Sequence, residues 1–199
     1  MIIKDKTIDG GKGFDWGRVS SEYAKYRDIY PKIFFRKILD LGLCKDGQKI
    51  LDLGTGTGVL PRNMYCYGGI WTGTDISEEQ IEQAKHLSAG MNIDYKAVAT
   101  EKIDFPAESF DVITACQCFW YFDHESVMPN LYRMLKPGGM FLICNESSGD
   151  TDKDEKWTKI IDGMTIYKDI ELKAYLEQAG FHEVQIHKKK SWLCITARK

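Results

Sequence analysis

The segment Lys49-Ile50-Leu51-Asp52-Leu53-Gly54-Thr55-Gly56-Thr57-Gly58-Val59 constrains this chain more than any other. A short apolar strand runs directly into three alternating glycines, and a helix is expected from about Leu60, with Pro61 tolerated in its first turn. Glycines at these positions permit a tight turn that presses backbone against a ligand. The helix start behind them offers free amide groups and a partial positive charge. Asp75 closes the next apolar segment, 21 residues beyond Gly54. That spacing suits a carboxylate that accepts hydrogen bonds from a ribose diol. Strand, glycines, helix and carboxylate together describe an α/β protein built to hold an adenosine-containing cofactor. The third glycine stands one position early for the dinucleotide pattern G-x-G-x-x-G, with Val59 in the expected place, which weakens a pyrophosphate fit.

The rest of the chain alternates apolar strands with amphipathic helices. Strands are expected at Ile50–Leu53, Ile70–Thr74, Ile93–Val98, Phe110–Ala115 and Met140–Cys144. Helices are expected from Pro31 to Leu41 with Ile33, Phe34, Lys37, Ile38 and Leu41 on one face, and from Ser77 to Gly90 with Ser77 as cap. Two more are expected at Glu125–Leu135, with a stripe of Val127, Leu131, Met134 and Leu135, and at Ile170–Ala179. Lys136-Pro137-Gly138-Gly139 reads as a sharp turn into the fifth strand. Val184 to Ile186 and Trp192 to Ile195 lie too close for a helical crossover and must form an antiparallel hairpin. The fold class is α/β: a Rossmann-like, doubly wound, mostly parallel seven-stranded sheet with a C-terminal antiparallel hairpin and helices on both faces. The expected organisation is an N-terminal segment, 1–28, followed by one domain over 29–199, with no internal repeat.

Composition narrows the partners. The 199 residues carry a formal net charge of -2, so no general attraction to nucleic acid is implied. No segment approaches the roughly 18 consecutive apolar residues that would span a membrane. Met1–Lys6 lacks the apolar core of a signal peptide, so a cytoplasmic location is the default. The six cysteines read as buried small hydrophobes rather than disulfides, and Cys116 and Cys118 would share a face if both lay in one strand. No metal site is expected: no second cysteine pair stands near them, and His86, His124, His182 and His187 are not spaced as a cluster. His124 reads as a surface residue at a helix start, and Lys188-Lys189-Lys190 as a solvated turn.

Read in order, these motifs resemble a class I S-adenosylmethionine-dependent methyltransferase of the small-molecule branch, over roughly residues 30–197. Leu51-Asp52-Leu53-Gly54-Thr55-Gly56-Thr57-Gly58 is similar to the family's first motif, and Asp75-Ile76-Ser77 to the acidic end of its second strand. Ile103-Asp104-Phe105-Pro106 with Ser109-Phe110-Asp111-Val112-Ile113 resembles the approach to its fourth strand. Leu135-Lys136-Pro137-Gly138-Gly139 resembles the turn before its fifth, and Gly180-Phe181 with the terminal hairpin completes the pattern. The resemblance implies S-adenosylmethionine as cofactor. Gly54, Thr55, Gly56 and Gly58 would pass beneath its methionine part, Asp52 would hold that loop, Asp75 would grip the ribose and Ile76 would lie against the adenine. Thr100 would edge the adenine, and backbone near Cys116 and Gln117 would face the ammonium group. Where the family often has an acidic adenine contact, this chain has Ala99, leaving Glu101, a backbone carbonyl or water to serve. The histidine that relatives often carry close to Phe119 is absent.

The expected acceptor is a small molecule, with Trp120 or Tyr121 of the aromatic run Phe119-Trp120-Tyr121-Phe122 lining its pocket. Tyr23, Tyr26 and Tyr30 fall on one helix face. They either pack that helix on the domain or form a lid in which Tyr23 meets cofactor and Tyr26 acceptor. Trp157, Ile160, Ile161 and Met164 suggest a short amphipathic helix that closes the pocket. A monomer or homodimer is expected. Two other readings stand beside this one: an NAD-dependent oxidoreductase, which shares the glycine loop and Asp75, and a non-enzymatic cofactor-binding protein on the same fold.

Overall fold

The computed structural model describes residues 30–146, 168–189 and 192–199. Seven strands in these residues form one sheet in the order β3-β2-β1-β4-β5-β7-β6. They are β1 Lys49–Leu53, β2 Ile70–Asp75, β3 Asp94–Ala97, β4 Phe110–Cys116, β5 Leu135–Glu146, β6 His182–Lys189 and β7 Trp192–Arg198. β1 to β5 pair in parallel, whereas β7 runs antiparallel to both β5 and β6. The mixed sheet with its terminal hairpin is the architecture expected from the pattern. The helices are α1 Lys32–Asp40, α2 Val59–Met64, α3 Glu78–Leu87, α4 His124–Met134 and α5 Asp169–Gln178.

Period-two alternation sorts the strands' side chains between two cores. Leu51, Leu53, Ile113, Ala115, Phe141, Ile143 and Ile195 face Val127, Met128, Leu131 and Met134 of α4 and Leu172 and Leu176 of α5. Ile50, Val112, Cys116, Leu142 and Cys144 face the other way, onto Phe34, Phe35 and Ile38 of α1 and Leu60 and Met64 of α2. Ile81 and Ala84 of α3 pack with Tyr95 of β3 in a smaller cluster. The Ser77 hydroxyl caps α3 by accepting from the Gln80 amide at 3.2 Å.

Several local expectations are corrected. In α1 the buried face is Phe34, Phe35 and Ile38, while Ile33 is 53% and Leu41 39% exposed. Turning Phe35 inward instead of Ile33 buries more apolar area and lets Tyr30 stack on Phe34 at 4.6 Å. Leu135 belongs to β5 rather than α4, and Lys136–Gly139 forms a wide bulge inside that strand. Phe110 pairs with Leu135 and Val112 with Met140, so β5 carries the longer path between the two pairs. Gly138 takes φ +76° there, and its amide donates to the Lys199 carbonyl at 2.9 Å. Lys188 and Lys189 lie within β6 rather than in a turn, and Lys188 pairs with Asp169 at the start of α5.

Gly58 shows how tightly β3 supports the glycine loop. It sits at φ +75°, and a Cβ added to it would stand 2.2 Å from the Tyr95 hydroxyl oxygen. Gly58→Ala is expected to lower the free energy of unfolding in urea by about 1–3 kcal/mol through strain and overpacking. Adding Tyr95→Phe, which removes the nearest clashing atom, should recover part of that loss; strictly additive losses would show that the two groups do not touch.

Candidate functional site

The sheet order reverses between β1 and β4, so the crevice beyond their carboxyl ends is the natural ligand position in this fold. The loop after β1 and the turn after β4 flank it. Gly54 lies against that turn: with φ +55°, a Cβ here would stand 2.6 Å from Cβ of Cys118. The Cys118 thiol in turn donates to the Leu53 carbonyl at 3.1 Å. β4 ends at Cys116, and Gln117 adopts φ +65° with its amide donating to the Cys144 carbonyl at 2.8 Å. Cys116 and Cys118 therefore do not share a face. Cys116 packs with α1 and α2, while Cys118 packs toward α4, because the left-handed Gln117 breaks the strand between them.

Asp52 is the centre of the arrangement. Only 2% exposed, it accepts from the Thr55 hydroxyl at 2.7 Å and from the Thr114 hydroxyl at 2.6 Å. Thr114 is its cross-strand partner on β4, so register alone brings hydroxyl and carboxylate together. Burial pushes the Asp52 carboxyl up to about 6; the two hydroxyls work against that rise and the nearby Asp75 adds to it.

Asp75, half-buried at the end of β2, clamps the loop from the other side. One oxygen accepts from the Gly56 amide at 2.9 Å and the other from the Ser77 amide at 3.0 Å. Its carboxyl is also raised, by burial first, against the pull of those amides. The Thr55 amide donates to the Thr74 carbonyl at 2.8 Å and the Gly58 amide to the Thr55 carbonyl at 2.9 Å. The Thr55, Gly56 and Gly58 amides of the loop are thus spent on protein acceptors. α2 is only six residues long and is capped by Gly58 without a side-chain bond, so it adds little anion attraction.

The remaining expected residues are placed as follows. Ile76 projects from the end of β2 at 71% exposure, beside Asp75. Thr100 is buried in the short 3-10 turn Thr100–Lys102, and Glu101 accepts from the Asp123 amide at 3.1 Å. Phe119–Tyr121 form another 3-10 turn in which Phe119 and Trp120 are buried and Tyr121 is half-buried. Tyr23, Tyr26 and the segment with Trp157, Ile160, Ile161 and Met164 lie outside the described residues.

His124 is not a surface residue. It is 5% exposed, hydrogen-bonds through Nε2 to the Phe119 carbonyl at 2.8 Å and lies 4.4 Å from the Phe119 ring. A carbonyl only accepts, so Nε2 carries the proton, and burial holds the imidazole below its ordinary pKa. The ring braces the aromatic turn. Sequence reasoning also missed Thr114, whose signal was present: it is the single hydroxyl in the apolar run Phe110–Ala115.

Residues 51–143 match the family model described as "Methyltransferase domain". Over 129 residues the chain is 33% identical to a ubiquinone biosynthesis O-methyltransferase of Pseudomonas putida, covering 62% of this chain and 54% of that protein. The chain thus spans about half the length of the curated relatives it matches. Among solved structures, a methyltransferase of Thermotoga maritima described as a possible histamine N-methyltransferase aligns with a TM-score of 0.72 at 18% identity, covering 92% of this chain and 98% of that one. An S-adenosylmethionine-dependent methyltransferase of Aquifex aeolicus aligns with a TM-score of 0.71 at 20% identity, covering 94% and 99%. The first-strand motif, the switch-point crevice and the terminal hairpin are thus in register with a fold shared by solved methyltransferases, and the match to a methyltransferase domain spans residues 51–143.

Proposed function

We propose that this domain binds S-adenosylmethionine in the crevice between β1 and β4 and transfers its methyl group to a small-molecule acceptor. One observation carries the reading: two carboxylates, Asp52 near the end of β1 and Asp75 at the end of β2, stand beside the glycine loop, and three amides of that loop are already spent. A pyrophosphate needs free amides and would meet the negative charge of Asp52 and Asp75, which disfavours a dinucleotide. A ligand bearing a sulfonium and an ammonium group gains from that same field. Bound there, the cofactor supplies a methyl group already activated by positive sulfur.

In this reading Asp75 keeps its loop contacts and uses its remaining lone pairs for the ribose hydroxyls. Exposed Ile76 gives the adenine an apolar platform, with Thr100 at its edge. Backbone at Cys116 and Gln117 meets the ammonium group. Trp120 and Tyr121 border the acceptor, and residues 1–28, with Tyr23 and Tyr26, cover the site. The protein's task is to align a nucleophile and keep water out, which demands few catalytic groups. The small-molecule acceptor is supported by the names of the curated relatives.

Three outcomes test this. Asp75→Ala should weaken S-adenosylhomocysteine binding about 10- to 100-fold by calorimetry, from loss of charge-assisted hydrogen bonds; an unaltered affinity would remove the ribose assignment. A ligand cation favours ionised Asp52, so affinity for S-adenosylhomocysteine should climb as pH rises through about 6 and then level. Asp52→Asn should flatten most of that climb, Asp75 accounting for the remainder. Deleting residues 1–28 should weaken cofactor binding while leaving the circular dichroism and unfolding of the remainder intact.

A further inference from the structure

Strand register assembles a feature that the cofactor reading does not use. Cys116 of β4 pairs with Cys144 of β5, and Cys144 pairs with Cys194 of β7. Three thiols thus stand in a row across three neighbouring strands, on the sheet face covered by α1 and α2. The Sγ atoms of Cys144 and Cys194 are 2.9 Å apart, only about 0.9 Å beyond a disulfide bond length. Directly opposed antiparallel residues hold their Cα atoms about 4.5 or 5.5 Å apart, depending on the pair type, and both values fall within the span of about 4.4–6.8 Å that a disulfide accepts. Closing this bond therefore needs side-chain rotation alone.

The two thiols are not equivalent. Cys144 is buried, and burial pushes its thiol well up. Cys194 is half-buried, and the hydrogen bond from Cys144 holds its thiol below the ordinary value. The more accessible sulfur is thus also the one that ionises more readily. Cys118 is engaged with the Leu53 carbonyl, Cys44 is fully buried, and Cys66 is exposed.

We propose that Cys144 and Cys194 form a peroxide-sensitive dithiol that closes reversibly into a cross-strand disulfide. The Cys194 thiolate attacks one oxygen of a hydroperoxide: an S–O bond forms, the O–O bond breaks, and the departing oxide takes up a proton. Cys194 is thereby oxidised to the sulfenic acid and the peroxide reduced to water or an alcohol. The Cys144 sulfur then attacks the Cys194 sulfur, the S–S bond forms, the S–O bond breaks, and hydroxide leaves as water with the Cys144 proton. For hydrogen peroxide, two thiols and one peroxide give one disulfide and two waters. The bond lies beside the crevice, because the Cys144 carbonyl holds the amide of Gln117.

The test exposes the full chain to a small excess of hydrogen peroxide, quenches with acid, and alkylates all remaining thiols after unfolding. Two of the six cysteines should escape alkylation, in one linked peptide pair carrying Cys144 and Cys194, and dithiothreitol should restore all six. Cys194→Ser should abolish the linked pair, whereas Cys116→Ser and Cys66→Ser should retain it. Six alkylated cysteines after peroxide would overturn the proposal. So would sulfinic acid at Cys194 with Cys144 still reduced, a Cys116–Cys144 link in place of the expected one, or cross-linking of chains through Cys66. Peptide mapping of the unaltered protein decides the matter even if a variant fails to fold.

Discussion

A carboxylate buried at the centre of a sheet must be held by hydrogen-bond donors or be paid for in stability, and in this protein the answer to that constraint shapes the site. Asp52 draws one hydroxyl from the next strand, Thr114, and one from its own loop, Thr55. The same contacts that satisfy its charge fasten the glycine loop to the two strands where the sheet changes direction. Removing either hydroxyl would leave a carboxylate under-satisfied and a loop untied. Because the charge is shielded from water, it also sets the electrostatic character of the crevice above it.

Glycine loops of this kind are often read as anion cradles, and the local pattern here invites that reading. The tertiary arrangement inverts it. Asp75 takes the Gly56 amide, Thr74 the Thr55 amide, and the loop closes on itself at Gly58. The loop becomes a backbone platform tied to β2 instead of a ring of donors around a phosphate. Its height is fixed by close neighbours: Cys118 beneath Gly54 and the Tyr95 hydroxyl beneath Gly58, itself 3.0 Å from the Ser88 hydroxyl. The residues that support the loop thus come from β3, the residue that follows α3 and the turn after β4, far from it in sequence.

Register does the same work at the other side of the sheet. Cys116, Cys144 and Cys194 are widely separated along the chain, yet two strand pairings set them side by side. No short motif announces such a row. It arises because successive side chains alternate between faces and the pairing of β5 with β7 falls where both cysteines point the same way. A slip of one residue in that hairpin would send Cys194 to the face occupied by Leu193 and Ile195 and put those apolar side chains against α1 and α2.

What the sequence determined by itself was local and periodic: strands from apolar runs, helices from 3.6-residue spacing, the glycine turn, and the antiparallel hairpin from a connection too short to cross over. These follow from backbone geometry and need only neighbouring residues. The tertiary structure alone decided matters that depend on which surfaces meet. It turned Phe35 inward and Ile33 outward, folded His124 under the aromatic turn, and absorbed Lys136–Gly139 into a bulge of β5. It joined Thr114 to Asp52 and gave the Gly56 amide to Asp75 and the Thr55 amide to Thr74, acceptors beyond the reach of any sequence window. Burial and hydrogen-bond partners belong to packing between distant segments, and a linear pattern carries the propensity for an element but not the identity of what it will face.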